Sequence, residues 1–292
     1  MESVVTQNMS DQEITRIAQC HMGRTAWFTL ALAFGSITLY FGFFVAAIVG
    51  ALPLWLCAII VSYLVYVVYT PLHEAVHNNI AGDNAALKKV NDVVGHIVGS
   101  ILGIPFAVHH PAHMAHHRST NVEGKDPDLV FKGTGMWDVV SGGPRIIVNE
   151  YRYYFRDVYP RASRTSRMIV WSEITLAIGW RAGIAIAGYP LEAFVLGILA
   201  SIAGTSLLGI IFAWIVHVPF EKTARFENTA TIYLPKWIHT LGTWAWLWQN
   251  YHSIHHLFPR VPFYRYRTVH DHIYPGMTER GAPAIGEPIV AL

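Results

Sequence analysis

Eight of the sixteen histidines in this chain fall into three tight groups: His73 and His77; His113, His116 and His117; and His252, His255 and His256. The second and third groups share the pattern His-x-x-His-His, and the first is His-x-x-x-His. On a helix, residues three and four apart lie on one face, about a turn from each other. Each group therefore aims two or three imidazoles in one direction. Neutral imidazole is a ligand for Zn, Cu, Fe or Ni, so donor type alone does not name a metal. Number narrows the choice. One zinc takes three or four protein ligands, whereas these groups supply eight, and His217 at the end of a later apolar segment is a ninth candidate. Eight or nine histidines around one pocket fit two metal ions better than one. Redox iron paired at a lipid surface would activate dioxygen to attack an unactivated C–H bond.

The segments that must carry these histidines are apolar. From Ala26 to Pro71 there is no Asp, Glu, Lys, Arg or His. That run is too long for a signal-peptide core and long enough for two membrane crossings at about 20 residues each. Gly50-Ala51-Leu52-Pro53 supplies a break, which predicts helices over 26–49 and 53–71. A second apolar region, interrupted at Gly188-Tyr189-Pro190-Leu191, predicts helices over 168–188 and 191–216. The expected fold is an all-α integral membrane protein, a single domain with four transmembrane helices in two hairpins. A histidine-rich helical cap would come from 72–167 and 217–274, and 275–292 would form a loose tail. The hydrophobic fraction of 53% against 14% charged residues excludes an ordinary soluble protein. All of the Lys and Arg residues except Arg181 lie outside the apolar helices and on one side of the expected membrane. The positive-inside rule makes that side cytoplasmic, and the histidine groups lie on it too. The expectation is a multi-pass protein with its active site on the cytoplasmic face. Topology and lipid headgroups account for the basic residues, so no nucleic-acid partner is implied. Cys20 and Cys57 have neither metal-pair spacing nor the look of a disulfide framework.

Ser10-Asp11-Gln12-Glu13 has the form of a capping box and predicts a short helix before the first crossing. The second crossing is expected to continue through Pro71 into His73 and His77. The apolar stretch from Val93 to Val108 contains His96 and Pro105 and is too short to span, which predicts a buried or re-entrant helix. In the third crossing Glu173 would lie about 8 Å in and line a substrate path, while Arg181, about 20 Å in, would snorkel outward. His21, His239, His270 and His272 are expected to be ordinary core or surface residues. For His96, His109 and His110 the alternative is support of the metal ligands. Trp244, Trp246 and Trp248 read as packing or a membrane-interface belt.

Two rival chemistries use the same residues. His73-Glu74-x-x-His77 matches the zinc-protease pattern with Glu74 as general base, but that reading leaves both His-x-x-His-His triplets without a task. A metal transporter would want polar ligands at mid-membrane depth, whereas these histidines sit at helix ends and in cytoplasmic segments.

At these residues the chain resembles the membrane di-iron desaturase/hydroxylase superfamily, whose three histidine boxes occur in this order. Within it the closer likeness is to cyanobacterial-type β-carotene hydroxylases. That likeness is carried by Leu72-His73-Glu74-Ala75-Val76-His77, His113-Met114-Ala115-His116-His117-Arg118, Asp126-Pro127-Asp128 and His217-Val218-Pro219-Phe220-Glu221. It continues in Gln249-Asn250-Tyr251-His252-Ser253-Ile254-His255-His256-Leu257-Phe258-Pro259 and Pro262-Phe263-Tyr264. The resemblance spans roughly residues 60–270. It implies a mushroom-like four-helix domain whose cap holds two iron ions, with the three boxes and His217 as ligands and O2 as co-substrate. Relatives often carry a polar residue four before the His217 position. Here it is Ala213, so support for that ring is expected from elsewhere. Glu74, Asp126, Asp128, Asn250 and His96 are candidates to orient ligand imidazoles, with turn formation around Pro127 as the bland reading of the two aspartates.

The function implied is O2-dependent hydroxylation of a lipid, with a β-carotene ring first, fatty-acyl desaturation as the alternative and ring ketolation third. Hydroxylation and desaturation both begin with hydrogen abstraction and diverge in what the radical does next. The chain has no ferredoxin, cytochrome or flavin motif, so an external electron donor such as a ferredoxin is required.

Overall fold

An apolar segment inside a bilayer can satisfy its backbone only within itself, and the two apolar regions do so as helices. The computed structural model describes residues 9–133, 135–218 and 220–288; Pro219 of the quoted motif and the last four residues of the expected tail lie outside them. The chain is mostly helical. After a short α1 (Asp11–Gln19), where Ser10 Oγ accepts from the Glu13 N–H at 3.2 Å as the capping pattern predicts, come α2 (Trp27–Ile48) and α3 (Leu54–Val76). Further along are α7 (Arg164–Ile186) and α8 (Pro190–His217). Between and after them lie α4 (Lys88–Leu102), α5 (Phe106–Arg118), α6 (Met136–Tyr153), α9 (His239–Ala245), α10 (His252–Leu257) and α11 (Tyr266–Glu279).

Four of these helices, α2, α3, α7 and α8, are long and apolar enough to cross a membrane. Their bounds lie within a few residues of those read from the sequence, and α3 passes through Pro71 as expected, ending at Val76 with His77 as its cap. Its second half, from Leu64 onward, is buried throughout. α8 contains two π-helical stretches, Val195–Leu199 and Gly209–Trp214, the second ending just before His217. The segment expected to be buried or re-entrant is two helices, α4 and α5, that meet at 101°. Gly103, at φ +76°, ends α4 in the left-handed region that glycine occupies without strain.

Buried Glu173 and half-buried Arg181 on α7 both bond to backbone groups, which differs from the sequence reading. Glu173 does not line a substrate path: its two oxygens accept the backbone N–H groups of Phe106 at 2.8 Å and Ala107 at 3.1 Å. Those are orphan donors of the first turn of α5, so α7 caps the helix that carries the second histidine group. Arg181 does not snorkel. Its guanidinium donates to the carbonyls of Gly197, Ala177 and Ile101 at 2.7–3.1 Å, one of them in a π stretch and one near the end of α4. Three backbone acceptors inside the protein are a better partner than a distant interface.

α6 lies against α8 at very close range. A Cβ placed on Gly143 would sit 1.7 Å from the Thr205 carbonyl oxygen. The expected loose tail from 275 is instead the last turn of α11 as far as Glu279. Ala284–Ile285 then pair in parallel with Thr231–Ile232 as the strands β2 and β1. Pro275 is tolerated inside α11, whose Ile273, Gly276 and Met277 are buried. Of the three tryptophans, Trp246 donates to the Ile211 carbonyl at 2.8 Å and is packing, while Trp244 is more than half exposed.

Candidate metal centre

The C-terminal ends of α3, α5 and α8 converge on α10, and each brings histidines. His73 and His77 come from the end of α3, His113, His116 and His117 from the last turns of α5, His217 from the end of α8, and His252, His255 and His256 from α10. Eight of the nine form two groups. His73, His77, His113, His117 and His255 each place a ring nitrogen within 4.8 Å of the others, and His116, His217 and His256 do the same. Each His-x-x-His-His triplet is split between the groups. Along α5, His113 and His117 are four apart and share a direction, while His116 is turned to the other side. In α10 the adjacent His255 and His256 diverge in the same way. His252 belongs to neither group by this measure, although its ring lies 4.9 Å from those of both His255 and His256.

In the larger group the Nε2 atoms of His77 and His113 are 3.0 Å apart, those of His113 and His117 3.0 Å, and those of His117 and His255 2.8 Å. In the smaller group the Nε2 of His256 lies 3.3 Å from that of His116 and 3.2 Å from that of His217. Imidazoles bound side by side to one metal at about 2.0–2.1 Å would hold their nitrogens roughly 3.0–3.4 Å apart.

The partners on the other nitrogens fix what these atoms are. His217 Nδ1 meets the Ala213 carbonyl at 2.6 Å, which only accepts, so Nδ1 carries the hydrogen. His116 Nδ1 likewise donates to the Asp126 carboxylate at 2.8 Å. Thr120 Oγ1 gives its one hydrogen to the His116 carbonyl at 2.9 Å, so it accepts from His256 Nδ1 at 3.3 Å. In their neutral forms all three rings therefore point Nε2 lone pairs at one another, an arrangement that a shared cation relieves. Burial opposes charge on His116, but Asp126 and Asp128 push its pKa up to about 9. A proton there satisfies the His116–His256 pair and leaves His217 and His256 facing each other; a metal satisfies all three. In the larger group His73 is fully buried with neither ring nitrogen hydrogen-bonded, which burial penalises unless a ligand bond replaces the missing partner. Burial first, then the surrounding imidazoles, hold His252, His255 and His256 well below the usual histidine range and His77 down to about 3. These are neutral rings, the form that ligates. The residues fit two metal ions.

Of the five residues expected to orient ligand rings, Asp126 does so, and it also forms the turn: its oxygens accept the N–H groups of Asp128 at 2.9 Å and Asn121 at 2.8 Å. Asp128 reaches only to 3.8 Å from His116 Nδ1, beyond hydrogen-bond range. The other three are placed elsewhere. Glu74 accepts from Asn79 Nδ2 at 3.2 Å and the Phe263 N–H at 3.3 Å, Asn250 donates to the Ile232 carbonyl and Thr243, and His96 faces Glu173. His109 stacks on His113 at 5.3 Å and joins Glu150 at 2.9 Å to the Tyr69 hydroxyl at 3.2 Å. His239 and His270, expected to be ordinary core or surface residues, are buried against the hydroxyls of Tyr251 and Tyr233. Sequence reasoning missed Thr120, Tyr266, whose hydroxyl lies 3.0 Å from His255 Nδ1, and Gln249, whose Oε1 lies 2.9 Å from His252 Nδ1. It also placed the support for His217 away from Ala213, whereas that residue's own carbonyl supplies it. A backbone acceptor leaves no mark in residue type.

A cavity of about 40 Å³ adjoins both groups, reached by His113, His116, His217 and His252 and walled by Tyr69, Phe212 and Leu208. It has room for a diatomic gas or a few waters, not for a lipid chain. Residues 49–287 match the family described as fatty acid desaturase. No curated protein matches the chain.

Proposed function

Because the chain belongs to the fatty acid desaturase family, we propose that it is a membrane di-iron oxygenase that hydroxylates a lipid C–H bond, with a β-carotene ring as the substrate to test first. The observation that carries the di-iron reading is the convergence of eight imidazoles in two groups, the ring nitrogens of each group within 4.8 Å of one another and five neighbouring pairs 2.8–3.3 Å apart. His73, His77, His113, His117 and His255 would hold one iron; His116, His217 and His256 would hold the other, with His252 beside both. Such a pair, when bound, supplies the reductive chemistry of dioxygen. The net reaction takes RH, O2, two electrons and two protons to ROH and one water.

The protein's own contribution is placement. Asp126, Thr120 and the Ala213 carbonyl keep hydrogen on Nδ1 and present Nε2 to the metal, while Tyr266 and Gln249 hold the rings of His255 and His252. Phe212 and Leu208 supply an apolar part of the cavity wall. The ends of α3 and α8 supply the site at one end of the spans. With the charge bias of the sequence this favours a cytoplasmic cap above a pair of membrane hairpins, so that a lipid substrate enters from the bilayer.

A second reading, fatty-acyl desaturation, is favoured by the family description itself. It takes the same electrons and protons with O2, removes two hydrogens from the chain and releases two waters. Ketolation ranks below both. The protease reading fares worse, because the Glu74 carboxylate is tied to Asn79 and Phe263, away from the histidine groups. Expression in a β-carotene-producing host tests the choice. Hydroxylated pigment supports the proposal; unchanged pigment with new double bonds in membrane acyl chains supports the second reading and overturns the first.

A further inference from the structure

The proposed reaction draws two electrons from outside the chain, and one surface cleft carries positive charge beside the histidine pocket. A cleft of about 850 Å³ lies between the segment after α5 and the end of α6. Arg118, Lys125, Arg152 and Arg156 line it and are exposed. Arg156 is engaged by Asp157, which also lines the cleft. Arg118, Lys125 and Arg152 have no carboxylate within ion-pair distance among the described residues. The remaining charged group is Asp126, in the wall, whose carboxylate is bound to His116 Nδ1 at 2.8 Å. The cleft thus presents unsatisfied positive charge around a residue one hydrogen bond from a ligand imidazole.

We propose that this cleft docks a small acidic one-electron carrier protein of the iron–sulfur ferredoxin kind, and that electrons enter the histidine pocket on the Asp126–His116 side. The inference rests on the di-iron reading. In each docking the reduced carrier loses one electron and the metal pair gains it, so two dockings supply one turnover. Three free cations on one rim favour a partner with an acidic face, because opposite charges raise the encounter rate and fix orientation. An anionic lipid headgroup would satisfy the same cations, but it would give no use to the adjacency of Asp126 and His116.

The test is binding, read separately from turnover. Reduced or oxidised [2Fe–2S] ferredoxin is titrated onto the detergent-solubilised, iron-loaded protein at low ionic strength. The Lys125→Glu, Arg152→Glu double variant is expected to bind about tenfold more weakly and to lose most of its salt dependence. Lys236→Glu, a single charge reversal at another exposed site, should stay within about twofold of the parent by the same argument. If the charge reversals lower thermal stability, the Lys125→Gln, Arg152→Gln pair is used and should weaken binding about threefold. The inference is overturned if the parent does not bind ferredoxin, if the double variant binds as tightly as the parent, or if Lys236→Glu weakens binding equally. It is also overturned if the reversals reduce binding to phosphatidylglycerol vesicles while ferredoxin binding is unchanged. Iron content of the parent separates the two ideas: a protein without iron refutes the di-iron reading, whereas iron retained with unaltered ferredoxin binding in the double variant refutes only the docking site.

Discussion

Replacing Asp126 with Asn should loosen one metal and leave the other. The Asp126 carboxylate is buried, and one oxygen accepts from His116 Nδ1 at 2.8 Å while the other accepts the Asn121 N–H at 2.8 Å. Asn keeps the shape and removes the charge. The His116 bond falls from charge-assisted to neutral, which costs roughly half of a bond worth about 1.5–3 kcal/mol. The new amide also sets one of its N–H groups against the Asn121 N–H, a clash of donors that adds to the loss. Together these reach about 1.4–2.7 kcal/mol, a ten- to hundredfold loss of affinity, the range found for partners that orient ligand histidines. The effect belongs to the group of His116, His217 and His256, because none of the five histidines of the other group bonds to Asp126. Purified protein equilibrated with graded concentrations of an iron chelator should release one of its two irons at a chelator concentration about ten- to hundredfold lower than the parent, with the second iron unmoved. Release of both irons at the parent's concentrations would refute the reasoning, as would their loss in parallel.

Three further outcomes follow from the same geometry. His255→Ala removes a ligand from the five-histidine group and should abolish turnover while the protein still inserts in the membrane, measured by membrane fractionation alongside product analysis; full turnover would remove α10 from the site. Glu74→Gln should keep both irons and measurable oxygenase turnover, since Glu74 bonds to Asn79 and Phe263 rather than to an imidazole; complete inactivation with the irons retained would return Glu74 to the chemistry. Gly143→Ala puts a methyl group 1.7 Å from the Thr205 carbonyl and must push α6 away from α8. It should lower stability by about 1–3 kcal/mol in a thermal-shift assay, and an unchanged melting temperature would contradict the close contact.

Much of this was legible in the sequence because it depends on what is missing or on local spacing. The four apolar helices follow from long stretches with little or no charge, and the histidine groups follow from three- and four-residue spacing on helices. Adjacency in sequence does not give adjacency in space. Glu74 adjoins His73, but one residue turns a helix by about 100°, so its carboxylate faces Phe263. Asn250 is two before His252 and is spent on Ile232 and Thr243. Asp126, ten residues from His116, reaches it only because the chain turns back after α5. Depth in the membrane was an equally poor guide. Glu173 and Arg181 were placed by distance along α7, yet their partners are backbone groups of α4, α5, α7 and α8 that only the packed structure brings near. The division of the nine histidines into five, three and one also depends on packing, since it turns on which helix end each ring meets.

What the histidines hold decides the chemistry. Metal analysis of the purified protein should find two irons per chain, both lost together with oxygenase activity on exhaustive chelation and both restored on adding ferrous iron. One zinc per chain and no iron would contradict it.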